Sequence, residues 1–144
     1  MRFAPMIYLV AFAGCSGPQT DAEMRSLYES KKEYFTALVS GIDCNVKKSG
    51  ILWRSEKEQS STACLDILEK ARIDGIGIDP ISQGIMLFPS GRGYSSHQKG
   101  YVYSEKELEP QFTSLDVRPN ELQPYQRGFK KIDENWYITY EYVN

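Results

Sequence analysis

Downstream of Thr20, apolar residues recur every three or four positions: Met24, Leu27, Tyr28, Phe35, Leu38 and Ile42, with Glu29, Lys32 and Glu33 between them. That period predicts an amphipathic helix of about five turns, ended near Gly41. Thr20-Asp-Ala-Glu23 opens it as a capping box, in which the threonine hydroxyl and the glutamate carboxylate exchange hydrogen bonds with each other's backbone N–H. A second stripe, Ala63, Cys64, Ile67, Leu68 and Ala71, follows another capping-box sequence, Ser55-Glu-Lys-Glu58, and has Gly75 beyond its end. Trp53, just ahead of this second helix, reads as a hydrophobic contact at its start.

After Gly75 the period falls to two. Ile76–Ile78, Ile85–Phe88, Gly100–Tyr103, Tyr125–Ile132 and Trp136–Val143 read as strands rich in aromatic and β-branched residues, separated by Asp79-Pro80, Pro89-Ser-Gly91 and Asp133-Glu-Asn135. The last two form a predicted hairpin. In the final strand Trp136, Ile138, Tyr140 and Tyr142 share one face, and Tyr137, Thr139, Glu141 and Val143 the other. An aromatic face opposite a half-polar one fits an antiparallel sheet covered on one side by helices. Residues 104–124, with three prolines, an acidic cluster, Phe112 and Leu115, read as a long loop. The expected fold is α+β: two N-terminal helices on one face of a four- to five-stranded, mainly antiparallel sheet, formed by residues 21–144 as a single domain.

The segment before this domain is of another kind. Phe3–Ala13 is an apolar run of eleven residues behind a single positive charge at Arg2. It is too short to span a hydrocarbon core as a helix, which takes about 20 residues, and has the layout of a secretory signal peptide. Ala13-Gly14 directly before Cys15 resembles the lipobox of bacterial lipoproteins, with Phe12 standing where leucine is usual. The resemblance implies that residues 1–14 are removed, that Cys15 carries diacylglycerol on its thiol and an acyl group such as palmitate on its new amine, and that residues 15–20 are a tether. Ser16, rather than Asp, after the cysteine implies the periplasmic side of the outer membrane in a Gram-negative source. The C-terminal half resembles small bacterial lipoproteins of unassigned function, through Lys99-Gly-Tyr-Val-Tyr-Ser104 and Asn135-Trp-Tyr137 with Tyr140. That likeness implies no activity.

With Cys15 assigned to lipid, Cys44 and Cys64 are the remaining cysteines. In an oxidising compartment they either bridge, closing a loop of about twenty residues worth about 3 kcal/mol, or stay as two buried thiols. Without Cys-x-x-Cys spacing, a structural staple is expected rather than redox chemistry.

Composition narrows the function classes. Seventeen Lys and Arg against nineteen Asp and Glu give a net charge of −2, which leaves no electrostatic footprint for nucleic acid. A single histidine removes most zinc sites and most imidazole acid–base chemistry. The segment Ser90–Lys99 holds that histidine, three serines and two cations. A hydrolase would need a nucleophile, a base and an orienting acid assembled in space, and Ser95-Ser96-His97 supplies only sequence neighbours. Ser90-Gly-Arg92-Gly-Tyr94 resembles the Ser-Gly-x-x-Tyr motif of the periplasmic and membrane-bound lysozyme inhibitors, although those are β-barrels without a helix pair. The resemblance implies a loop that offers a hydroxyl and a cation to acidic groups of an enzyme cleft. The candidate binding loop is therefore Ser90, Arg92, Tyr94, His97 and Lys99, with no catalytic residue, cofactor or metal expected. Glu105, Glu107 and Glu109 lack an EF-hand pattern and read as a solvated acidic stretch. The expectation is a non-enzymatic, lipid-anchored envelope protein with a membrane contact at Cys15, which binds a protein partner in the envelope or supports an envelope structure. The alternatives are an inhibitor or immunity protein against a cell-wall hydrolase or toxin and, from another class, an envelope-acting hydrolase.

Overall fold

The computed structural model describes residues 18–40, 44–46, 50–56, 61–89 and 97–143. The capping box forms as expected: Glu23 N–H donates to Thr20 Oγ1 and Thr20 N–H to Glu23 Oε2, at 3.1 and 3.0 Å. They open α1, Asp21–Ser40, which buries Met24, Tyr28, Phe35 and Leu38. The helix breaks at Lys31, whose φ of −119° and ψ of 15° are not helical. Ser30 and Thr36 flank the break and donate their hydroxyls back to the carbonyls of Leu27 and Lys32, a competition with the helical ladder that bends helices.

The second helix, α2, spans Thr62–Lys70 and starts later than its predicted capping box. Ser61 is its N-cap and accepts from Cys64 N–H, whereas Glu56 N–H turns back to the Trp53 carbonyl. Ahead of it, β1 (Ile51–Trp53) is a strand that the periodicity did not announce. It is three residues long and exists through pairing with β2 (Ile73–Ile78), Leu52 opposite Ile76. Trp53 is accordingly a strand residue. Its ring packs on Phe88 with centroids 5.4 Å apart and lies over Gly75, where a Cβ would come within 2.6 Å of it. Gly75 thus sits inside β2 and leaves room for the indole, rather than ending a helix.

The remaining strands are β3 (Ile85–Pro89), β4 (His97–Tyr103), β5 (Arg127–Asp133) and β6 (Trp136–Tyr142). The described residues form one six-stranded antiparallel sheet in the order β1-β2-β3-β4-β6-β5, in an α+β fold with β1 between the two helices. The expected hairpin joins β5 to β6 through Glu134 and Asn135, the latter at φ 63°. To reach it, residues 104–126 carry the chain past β6 to the outer edge. That segment is more than a loop. Leu108 packs against Val102, Phe129 and Tyr137 on one face of the sheet, and Leu115 and Leu122 join the core on the other. In between, Phe129 N–H donates to the Pro110 carbonyl and Phe112 N–H to the Phe129 carbonyl, a short parallel bridge along β5.

The helices share their core with the aromatic face of the sheet. Met24, Tyr28 and Phe35 of α1, with Cys64 and Leu68 of α2, pack on Ile76, Leu87, Tyr101, Trp136, Ile138 and Tyr140. Phe35, Leu68 and Ile138 are fully buried, each contributing about 1.5–3 kcal/mol. Phe35 meets Tyr101 edge-on at 4.9 Å, the arrangement the ring quadrupoles favour. Tyr101 donates its hydroxyl to the Met24 carbonyl at 2.7 Å, and burial pushes that phenol well above the ordinary tyrosine range. Cys44 and Cys64 are bonded to each other, Cα atoms 5.2 Å apart and both buried, which fastens the chain beyond α1 to α2.

Candidate functional site

Lys99 is turned inward. On β4 it alternates with Tyr101 and Tyr103, the face that meets α1, and its side chain is 3% exposed. Its Nζ lies 2.7 Å from Asp21 Oδ1, donates to the Gln19 carbonyl at 2.8 Å, and reaches Asp116 at 3.4 Å. Lys130, on β5, lies 3.3 Å from the second Asp21 oxygen, which also accepts from Leu115 N–H at 2.8 Å. Asp116 in turn accepts the Asp21 N–H at 2.6 Å. Burial alone would raise the Asp21 carboxyl, but the Leu115 N–H and the Lys99 and Lys130 ammonium groups outweigh it and hold the pKa below the usual aspartate value. Lys99 is therefore removed from the candidate binding loop: an ammonium enclosed by two carboxylates and a carbonyl is not offered to a partner. The cluster it forms clamps Gln19 to Asp21, at the start of α1, onto β4, β5 and the segment at 115–116.

His97 opens β4 with its Cα opposite that of Tyr142. Cys15, Ser90, Arg92 and Tyr94 lie outside the described residues. The connection carrying the last three runs between β3 and β4, which pair directly from Ile85 opposite Tyr103 to Leu87 opposite Tyr101.

A second buried ion pair lies on the other sheet face and had no sequence signal. Asp79, fully buried just after β2, receives a close contact from Arg127 Nη1 and hydrogen bonds from the Ser82 hydroxyl at 2.6 Å and the Ser82 N–H at 3.1 Å. Arg127 Nε donates to Thr139 Oγ1 at 3.1 Å, and the guanidinium carbon stands 5.0 Å from the Phe129 ring centre. Burial would raise Asp79, but the Ser82 hydroxyl and the Arg127 charge reverse it and keep the carboxyl below its ordinary range. By the strand register, Asp79 follows the end of β2 and Arg127 begins β5 at the opposite end of the sheet. Their contact requires the sheet to coil so that two diagonal corners meet. This pair closes the fold, and Arg127 Nη2 stays buried without a hydrogen-bond partner among the described residues.

Glu107 is tied to Gln111 at 2.8 Å and to Lys131 at 3.5 Å, and is exposed. Among the described residues no group of three or more His, Cys, Asp or Glu is placed to hold a metal. Open depressions lie among the described residues. One of about 400 Å³ lies beside the Arg54–Asp74 ion pair, and one of about 710 Å³ beside Gln19, Ser26, Ser30 and Arg72. No described helix is long and apolar enough to cross a membrane.

Comparison with protein families, with curated proteins and with solved structures gives no match for this chain. Its functional reading accordingly stands on the residues themselves.

Proposed function

We propose that this chain is a lipid-anchored module of the bacterial cell envelope, held to the membrane at Cys15 and acting by binding a protein partner or supporting an envelope structure. The observation that carries the reading is the Cys44–Cys64 bond. It takes two of the three cysteines, so the third is the one that ends the Phe3–Ala13 run. A stable bridge also belongs with an oxidising compartment, the periplasm in a Gram-negative source. Two or three acyl chains at Cys15, at about 0.8 kcal/mol per buried methylene, give an anchor that one chain would not. The partner contact falls to the β3–β4 connection with Ser90, Arg92, Tyr94 and His97, because antiparallel strands on both sides hold its ends.

The mass of the intact protein purified from its native host tests the anchor. A chain that begins at Cys15 and carries diacylglyceryl mass is expected; one that retains Met1, or begins at Cys15 without acyl mass, overturns it. Affinity capture from envelope extract with wild type and Arg92→Ala tests the loop. Loss of specific partners in the variant supports it, and identical partners at equal yield refute it.

A further inference from the structure

An anchor at Cys15 constrains how the chain meets the membrane. Gln19 is pinned by its carbonyl to Lys99, and four Cα–Cα steps separate it from Cys15. Fully extended, they span about 14 Å. An acylated Cys15 therefore brings the Gln19 end of the domain to the headgroup layer, however mobile the protein is in solution.

The surface at that end has fitting chemistry. Asp116, which holds the Asp21 N–H and Lys99, leads directly into Val117, 75% exposed. Arg118 follows and lays its guanidinium over the Tyr142 ring, 4.2 Å from the centroid. Tyr142 at the end of β6 accepts from Tyr125 N–H through its carbonyl and donates its own N–H to the Gln126 carbonyl. Tyr125 is held at φ 66° with 67% of its surface exposed. An unbranched run of contacts thus links the clamp, an exposed valine, a cation on a tyrosine ring and an exposed tyrosine. Tyr28, Tyr101 and Tyr137, by contrast, are all within the core.

We infer that Val117, Arg118, Tyr125 and Tyr142 form the membrane-facing surface of the domain and rest in the interfacial layer of the bilayer to which Cys15 is anchored. Tyrosine suits that layer because its ring is apolar and its hydroxyl wet. Arg118 supplies a charge for lipid phosphate. The neighbouring Asp116 is paired with Lys99 although its side chain is half exposed, and Glu121 adds an exposed carboxylate in the same stretch. The inference rests on lipidation at Cys15, and because His97 pairs opposite Tyr142 the β3–β4 connection enters β4 at this same lipid-facing end, so its partner would be met beside the membrane.

The test uses full-length protein produced in a lipoprotein-acylating bacterium and reconstituted into phosphatidylethanolamine–phosphatidylglycerol vesicles, with or without lipids brominated in the upper acyl chain. Val117→Trp and Tyr125→Trp place an indole on the proposed surface. Glu134→Trp places one at the β5–β6 turn, about 20 Å away along the strands. Trp53 and Trp136 supply the common baseline. Bromolipid should remove the added emission of the first two variants and leave that of Glu134→Trp intact. Protein that floats with the vesicles yet shows equal quenching at both ends, or none, overturns the orientation and leaves the anchor standing. Protein that carries no acyl mass and does not float overturns the anchor reading, and the orientation with it.

Discussion

Replacing Lys99 by Met keeps most of the stem and removes the ammonium that faces Asp21 from 2.7 Å. The carboxylate would keep two stabilising neighbours, the Leu115 N–H at 2.8 Å and the part-exposed Lys130 at 3.3 Å. Breaking a buried ion pair by removing one partner costs about 3–5 kcal/mol, and the two survivors put Lys99→Met at the lower end, about 3 kcal/mol at pH 7. The pH dependence should change sign. In the native protein the Asp21 pKa lies below that of the unfolded chain, about 3.9. Its contribution is full above that unfolded value and is lost as pH falls through the lower folded one. Without Lys99, burial, already the largest single influence, is opposed only by the Leu115 N–H and Lys130, and the folded pKa is expected to rise above the unfolded value. The variant then gains stability as pH falls from neutrality toward about 4, where wild type gains none. Urea unfolding followed by circular dichroism at neutral pH and near pH 4.5, with the disulfide intact, measures both. The companion Asp21→Asn/Lys99→Met removes both charges and should recover most of the loss. A Lys99→Met chain within about 0.5 kcal/mol of wild type at pH 7 would refute the argument, as would a double variant no better than the single one.

Cys44→Ser/Cys64→Ser opens a loop with a sequence separation of 20 and should cost about 3 kcal/mol, seen as a fall in Tm of about 10 °C. Gly84→Ala would put a Cβ 1.9 Å from the Tyr103 carbonyl oxygen, a backbone atom with nowhere to go, so a loss of about 3 kcal/mol is expected by thermal or urea unfolding. Asp133 accepts from Lys32 and from the Tyr28 hydroxyl, which hold its pKa down to about 2. Lys32→Ala should move that titration up toward the ordinary value of about 3.9, read by carboxyl NMR, and should weaken the loss of stability that wild type suffers between pH 4 and pH 2.

How much of this was legible depends on whether the signal was local. The capping box at Thr20 and Glu23, the α1 stripe from Met24 to Leu38 and the alternation in β6 each lie within one element and appear as read, with Leu27 half-buried, whereas Gly41 and Ile42 lie outside the described residues. The Asp133-Glu-Asn135 hairpin is equally local. What failed was pairing at a distance. Ile51–Trp53 is too short to show a period and becomes a strand only beside β2. Ser55-Glu-Lys-Glu58 has the letters of a helix start, but Ser61 sits one cap position ahead of the apolar stripe and takes the role. For the candidate site, Lys99 did carry a usable signal: it shares strand parity with Tyr101 and Tyr103, which places a charge on the face turned toward α1. Its partner Asp21 lies 78 positions away, so the compensation was invisible. The Asp79–Arg127 pair had no signal of any kind, since two ordinary loop-edge charges meet only because the sheet coils. The segment at 104–126 concealed its part for a similar reason: the leucines at 108, 115 and 122 stand singly among polar residues with no helix or strand alternation around them, and Leu108 reaches one face of the sheet while Leu115 and Leu122 reach the other.

The bridge along β5 also bears on how copies of this protein behave when crowded at a surface. A sheet rim exposes unpaired N–H and C=O groups that template addition of a foreign strand. Here the outer rim is already occupied at Phe129, where Pro110 and Phe112 take both backbone groups. The opposite rim, β1, offers only three residues, too few to hold a strand from a neighbour. If the chain is held at a membrane, as proposed above, these described rims would give a neighbouring copy little to pair with at Phe129 and along β1.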